Sequence, residues 1–352
     1  MGVKTYPVLG VMAGSSADGV DIAFCLFKKN EKWDFQLLAC KTFPYDDEEV
    51  ELLKKLPTLS GEGLIAADRF FSKIYAQKIL TFITKYNVKP LLIGVHGHTV
   101  FHNPAKGYTY QLGHGGIIAT LTNIPVVSDF RSQDIALGGE GAPLVPLGDE
   151  IFFEKYDAVL NIGGIANISF KKEGKRLGYD IVPANQLLNY EAQMLNLSYD
   201  DKGMIARKGN VIQSLYEQLI EAQAKIPLHK SLAREDVEKH YLPIIHKFKE
   251  HPVPDLLNTT SAFIADVISK HLVQFKNVFI TGGGAHNAFL LELIQKKLPS
   301  LEITVPDKDI IDFKEAMIFA FLALRRFLNE ETTLHTVTRA SRNSITGALW
   351  LP

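Results

Sequence analysis

Apolar and polar positions along the chain change period in blocks, and the changes mark the elements. Apolar runs at 6–12 and 20–27 flank a small, polar stretch at 13–19, which predicts strand, glycine turn and return strand. A third strand is expected at 35–43. From Ser60 the period lengthens: Leu64, Ala67, Phe71, Tyr75, Ile79, Phe82 and Ile83 recur at spacings of three and four, one face of a helix. Buried strands are expected at 91–95 and 126–128, another strand ends at 111–113, and a helix at 116–123 leads through Pro125.

The second half opens as the first does, with a strand at 158–162, the turn Gly163-Gly164 and a return strand at 165–170. Such a repeat suggests a duplication, although hairpins are common enough that the pattern alone leaves it open. Helices are expected at 187–195, 210–224 and 261–275. A third glycine cluster (Gly282, Gly283, Gly284) joins a strand at 277–281 to a helix at 288–297. The apolar run 316–324, closed by Arg325 and Arg326, is about half a membrane span and predicts a buried helix. Linkers are expected at 103–107, near Pro227 and at 252–254. The class is α/β.

A length of 352 residues exceeds one ordinary core and suits two domains. With 46% apolar and 22% charged residues the chain can bury both. The net charge of −1, scattered in both signs, points away from nucleic acid and membrane partners. The run Lys171, Lys172, Lys175 and Arg176, interrupted by Glu173 and Gly174, reads as a solvated hairpin tip. Cys25 and Cys40 sit in apolar stretches without a framework of pairs, and the run at 8–12 is too short for a secretory segment. A soluble, cytoplasmic protein with reduced thiols is expected.

Three glycine clusters at strand ends invite a phosphate reading, because a backbone without Cβ can approach an oxyanion closely. Neither GxxxxGK[ST] nor a GxGxxG opening a βαβ unit occurs, so P-loop and dinucleotide-binding readings fall away. The turn at 10–21 adds Ser15 and Ser16, which can hold phosphoryl oxygens, and Asp18 and Asp21, which suit Mg²⁺ or its water shell. His96, His98 and His102 could be read as metal ligands, but no ordered set of later ligands completes such a site, and polar lining of a cleft is the plainer reading. Asp129, Arg131, Asp134 and the glycines at 138–141 form a dense polar segment, either a cleft organiser or a surface ion pair. Asp180 reads as a helix N-cap or a general base, and Glu315 as a dipole partner at a helix start.

Seven ordered blocks carry a resemblance: GVMAGSSADGVD at 10–21, HGHT at 96–99, DFRSQDIALGGEGAP at 129–143, NIGGIAN at 161–167, DIVPAN at 180–185, GGGAHN at 282–287 and KEA at 314–316. In this order they resemble the anhydro-N-acetylmuramic acid kinase family. The resemblance implies a two-lobed actin-like (ribonuclease H-like) ATPase fold with ATP in the interlobe cleft. The implied lobes are 1–127, with 330–352 returning to it, and 128–329. The implied reaction is ATP-dependent hydrolytic phosphorylation of 1,6-anhydro-N-acetylmuramic acid to the 6-phosphate, in peptidoglycan sugar recycling. A related anhydrosugar or a hexose is the alternative substrate.

Residue by residue, the resemblance makes Gly14, Ser15, Ser16, Ala17, Asp18, Gly19, Val20 and Asp21 the first phosphate loop. Gly163, Gly164 and Asn167 form the second, and Gly282, Gly283, Gly284 and Asn287 border adenosine. Asp180 is the implied base, Glu315 a second catalytic acid, and His98, Thr99 and Arg131 the sugar contacts. ATP and Mg²⁺, a small-molecule sugar and a homodimer complete the implied partners. The chain departs from the family pattern at Ala13, His114, Glu140 and Arg339, and at Ile181, Val182 and Ala184, which replace a threonine and two glycines.

Overall fold

The computed structural model describes residues 3–14, 19–227, 232 and 234–352. Strands β1 (Lys4–Ala13), β2 (Gly19–Lys29) and β3 (Trp33–Pro44) form an antiparallel meander, longer than the apolar runs but centred on them. Next come β4 (Leu92–Gly97), the hairpin β5 (Thr99–Asn103) and β6 (Tyr108–Gln111), and β7 (Val126–Ser128). The segment 103–107, expected as a linker, is the tight turn of that hairpin. The second half supplies β8 (Ala158–Ile162), β9 (Ile165–Lys172), β10 (Lys175–Pro183), β11 (Asn277–Thr281) and β12 (Glu302–Thr304). Near the C-terminus β13 (Ala348–Trp350) pairs antiparallel with β7.

One sheet runs β13-β7-β4-β1-β2-β3 and another β10-β9-β8-β11-β12. In each, the first three strands are antiparallel, and two later strands lie parallel to the first on its other side. This is the ribonuclease H-like order, and it occurs twice. The internal repeat that the pattern left open is therefore a repeat of topology. Chain contacts divide the protein into Met1–Phe152 with Phe313–Pro352, and Phe153–Asp312. Residues 128–152 and 313–329, assigned to the second lobe by the sequence reading, thus belong with the first unit.

The reason lies in side-chain packing. Phe152 stacks on Phe27 of β2 and meets Phe321, while Phe319 meets Phe130. Helix α1 (Gly61–Tyr86) is capped by Ser60, whose hydroxyl accepts from Gly63 N, and buries Ala67, Phe71, Tyr75, Ile79 and Phe82 as the spacing requires. Helix α2 (Gly115–Thr122) precedes β7. In the second unit α3 (Asn185–Gln193), α4 (Val253–Leu272) and α5 (Ala288–Lys297) cover the sheet. Helix α4 begins eight residues before expectation. Pro254 sits in its first turn, where no N–H is needed, so the segment read as a linker is a helix start.

The apolar run 316–324 is buried throughout and lies in α6 (Lys308–Phe327). Among the described residues no helix is long and apolar enough to cross a membrane. The β9–β10 hairpin turns through Glu173 and Gly174, both at positive φ, as the charged tip predicted. Arg176 is the exception: it is buried and donates to Ser169 Oγ.

Glu191 of α3 is fully buried and accepts from Thr260 of α4 at 2.5 Å. Burial pushes its carboxyl from 4.5 up to about 8, against the Thr260 hydrogen bond. A carboxyl whose folded value is raised favours the native state most below its unfolded value, and loses that advantage as pH rises. Thermal stability should therefore fall between about pH 5 and pH 8. Glu191→Gln should remove much of that fall in melting curves recorded across this range.

Candidate active site

In the second unit, three polar side chains stand side by side across three strands. Asn161 of β8 pairs with Asn167 of β9, which pairs with Asp180 of β10. Registered neighbours share a face, so these residues form one row at the carboxyl end of β8. Asp180 lies inside β10, and the cap of α3 is Ala184. The helix-cap reading of Asp180 therefore does not hold. A bulge between Asp180 and Val182 re-aims the strand here, and Asp180 Oδ2 accepts from Leu232 N at 2.9 Å.

The replacements in 180–185 point the other way. Ile181, Val182 and Ala184 are buried in the core of the second unit. Their side chains therefore add apolar packing instead of crowding the polar row. The turn Gly163-Gly164 docks on α3: Asn185 N donates to Gly163 O, and Ala184 N and Gln186 N to Gly164 O. These N–H groups are thereby taken by the protein. Asn185 Nδ2 also donates to Ile162 O at 3.1 Å.

The glycines divide by what a Cβ would meet. At Gly282 (φ +81°) it would stand 2.5 Å from Asn161 Oδ1, and at Gly284 2.2 Å from Ile162 Cγ2, so both are required by packing. At Gly163 and Gly283 the nearest atoms lie at 3.4 Å, and φ is not positive. The fold does not need glycine at these two positions, whereas close approach of a ligand to the backbone does. Asn287 caps α5 through Oδ1, accepting from Leu290 N at 3.0 Å.

The first unit gathers a second cluster. Gly97 O can only accept, so His96 Nδ1 donates to it at 2.8 Å and leaves Nε2 as an acceptor. Arg131 donates to that Nε2 from Nε at 3.0 Å and from Nη2 at 2.8 Å, and from Nη1 to Gly141 O. Burial and then Arg131 hold His96 well below the usual histidine range, so the ring is neutral. Both of its nitrogens are engaged, which argues against metal ligation. Among the described residues no three or more His, Cys, Asp or Glu side chains gather as a metal-holding group.

Burial lowers Arg131 to about 10 against the opposing charges of Glu315 and Asp134, so it remains a cation at neutral pH. Burial raises Glu315 while Lys314 and Arg131 pull it down. Glu315 lies two turns inside α6, and the dipole-partner reading lapses. Beside it the buried pair Lys314–Asp149 closes at 2.9 Å, an interaction whose rupture costs about 3–5 kcal/mol.

His98 Nδ1 donates to Gly14 O at 3.2 Å, tying β4 to the first turn. Thr99 accepts from Gln111 Nε2 at 3.4 Å. Gly19 and Val20 are strand residues of β2: a Cβ at Gly19 would lie 2.6 Å from Phe43 O, and the Val20 side chain is in the core. Asp21 Oδ1 accepts from Thr42 at 2.5 Å. Ser15, Ser16, Ala17 and Asp18 lie outside the described residues. Gly10, taken as the start of the glycine turn, sits inside β1, where a Cβ would stand 1.9 Å from Ala316 O. It serves helix packing.

A cavity of about 340 Å³ opens in the first unit, where Ser128 and Asp129 close β7 and His96 closes β4. Asp68 and Arg69 of α1, Gln111, His114 and Trp350 also line it. Asp68 Oδ1 accepts from Gly113 N and Ser72 Oγ from His114 N, so one face of α1 fixes the loop before α2. The sequence reading missed Asp68, Arg69 and Trp350. Its available signal was Asp68 and Ser72, polar residues four apart bordering the apolar stripe of α1.

Two ribonuclease H-like units, the second inserted in sequence within the first, define a duplicated α/β fold whose second unit carries a polar, glycine-bordered row. The anhydro-N-acetylmuramic acid kinase family model matches residues 6–352, and the chain belongs to that family of kinases. A relative of that name from Pseudomonas savastanoi pv. phaseolicola is 36% identical, over 97% of this chain and 98% of its own. One from Hydrogenovibrio crunogenus is 33% identical, over 98% of each. Among solved structures, the activator of the 2-hydroxyisocaproyl-CoA dehydratase from Clostridium difficile with bound ADPNP matches at TM-score 0.45 and 14% identity, over 92% of this chain and 96% of its own.

The glycine contrast is directly testable. Gly163→Ala and Gly283→Ala should leave Tm within about 2 °C while weakening nucleotide binding about tenfold or more by calorimetry. Gly284→Ala should lower Tm by about 5 °C or more, since its methyl would enter Ile162.

Proposed function

We propose that the protein catalyses ATP-dependent hydrolytic phosphorylation of 1,6-anhydro-N-acetylmuramic acid, giving N-acetylmuramic acid 6-phosphate for cell-wall sugar recycling. The observation that carries this reading is the position of Asp180. A strand bulge sets it beside Asn167 in one polar row, near two glycines that packing does not require.

In this reading Asp180 takes the proton from the water that attacks the anomeric carbon, as an ionised carboxylate held by Leu232 N. ATP supplies the phosphoryl group that captures O6, so that oxygen need not form a free alkoxide. Gly163, Gly164 and Gly283 give the phosphates and nucleoside access to the backbone. Arg131, held on His96, supplies a fixed positive charge near the sugar, and Glu315 is the second acid whose proton affinity Arg131 and Lys314 restrain. His98 and Thr99 contact sugar hydroxyls. Mg²⁺ would neutralise the phosphates, and Asp21, at the start of β2 with Oδ1 accepting from Thr42, is the described carboxylate of the block 10–21 that suits its water shell.

The two free cysteines suit the cytoplasm, where such a kinase would meet its sugar. A homodimer working on a small molecule, without nucleic acid or membrane, completes the proposal. Light scattering on the purified protein should return twice the chain mass of 39.2 kDa.

Incubation with ATP, Mg²⁺ and the anhydrosugar should yield ADP and 6-phosphate in equal amounts. Asp180→Asn should lower kcat about 100- to 10,000-fold with little change in the KM for ATP. Turnover of a plain hexose without any 6-phosphate from the anhydrosugar would overturn the reading.

A further inference from the structure

Gly163 and Gly283, the two glycines of the second unit that packing does not require, both border the start of α3. Asn185 N donates to Gly163 O, and Asn185 Nδ2 is the atom that a Cβ on Gly283 would meet, at 3.4 Å. Gln186, the second residue of the helix, folds back over the turn. A Cβ on Gly164 would lie 3.0 Å from its Cγ and 3.2 Å from its Nε2. The beginning of α3 therefore sits among the glycines at which a nucleotide can approach bare backbone.

What this helix start offers a ligand is narrow. The N–H groups of Ala184, Asn185 and Gln186 are taken by Gly163 O and Gly164 O, and those of Leu187 and Leu188 by Ala184 O. No bare helix N-terminus is left here for a phosphate. Asn185 Nδ2 is held by Ile162 O at 3.1 Å. Gln186 Oε1 differs: it is buried, and it has no hydrogen-bond partner among the described residues. An amide oxygen cut off from water is costly to leave unmatched, and only a proton donor matches it.

Ionised phosphoryl oxygens carry no proton, and an amide oxygen turned towards them repels them. A nucleotide brings donors to such a turn in another form. Mg²⁺ on phosphates keeps several of its waters, and those waters are donors that need acceptors from the protein. An orphaned acceptor beside a glycine turn fits that group. We propose that Gln186 is a binding residue for the magnesium form of the nucleotide. Its Oε1 accepts from a water of the ion's shell, which makes the protein select metal-bound nucleotide over free nucleotide. The proposal rests on the nucleotide assigned to the Gly163-Gly164 turn above, and it can fail while that assignment stands.

Calorimetry with the β,γ-imido analogue of ATP, run once with Mg²⁺ and once with EDTA, tests this on wild type, Gln186→Met and Gln186→Glu. Gln186→Met keeps the length of the side chain but accepts only weakly. It should lose about 5- to 10-fold in affinity with Mg²⁺ and nothing in EDTA. Its Tm without ligand should match or exceed that of wild type, because an unmatched buried oxygen is gone. Gln186→Glu keeps an acceptor, so it should retain the gain that Mg²⁺ brings while binding the metal-free analogue more weakly, through repulsion of the phosphates. An equal loss by Gln186→Met in both conditions, or no loss in either, overturns the role of Gln186. Wild type that binds the analogue in neither condition overturns the functional reading itself.

Discussion

The geometry of the first unit depends on a backbone-to-backbone contact. Helix α6 lies against β1 and β4 so closely that a Cβ on Gly10 would stand 1.9 Å from Ala316 O, and one on Gly94 2.4 Å from Phe319 O. Such approach is open only to glycine, and it leaves the helix no freedom to slide or rotate over the sheet. Glu315 is the residue before Ala316, so its position follows from this contact. Phe319 packs against the His96 ring at 4.4 Å between centroids, and His96 in turn seats Arg131. Lys314 and Asp149, both almost wholly buried, lock the same turn of α6 from its other side. The charged cluster is thus an outcome of steric fit.

The two units use glycine differently despite their common topology. In the first, Gly10, Gly19 and Gly94 exist to let elements touch. In the second, Gly282 and Gly284 do the same, but Gly163 and Gly283 do not. A glycine turn read from sequence confounds these two causes, because close packing and ligand access demand the same residue. Only the space around each missing Cβ separates them. For the same reason the block at 10–21, the most telling stretch of sequence, divides on inspection. Its first residue serves packing, and its strand residues Gly19 and Val20 are held by the sheet.

Much of the fold was open to sequence reasoning because it follows from periodicity. The hairpins at the head of each unit, the long helix α1 and the buried run 316–324 all announce themselves through the spacing of apolar side chains. The misplacements have equally physical causes. Proline at 252–254 is as compatible with a helix start as with a linker, and only the chain beyond decides. The division between units depends on the aromatic contacts of Phe152 and Phe321, which lie far apart in sequence. The candidate site was legible where chemistry clusters locally, as in 96–99 and 161–167. It was not legible where a distant element contributes one residue. Arg69 lies in a helix otherwise devoted to packing, and Trp350 stands two residues from the end of the sequence.

The departures from the family pattern show how a site can be kept while its frame changes. Arg339 adopts φ +65°, a left-handed conformation that suits the glycine usual there and costs an ordinary residue about 1 kcal/mol. Its guanidinium reaches Glu140, itself a replacement, at 2.7 Å. Arg339 is exposed and Glu140 half-buried, so the pair returns at most a similar amount. Two unusual residues thus balance one another, while Thr338 beside them keeps its hydroxyl on the buried Asp134 at 2.8 Å. Asp134 also holds Gly141 N, whose carbonyl takes Arg131. The exposed end of the segment can therefore drift in composition so long as the buried carboxylate keeps its partners. The same logic covers Ile181, Val182 and Ala184: they enlarge the core on one side of β10, and the bulge leaves Asp180 in its row with Asn167 on the other.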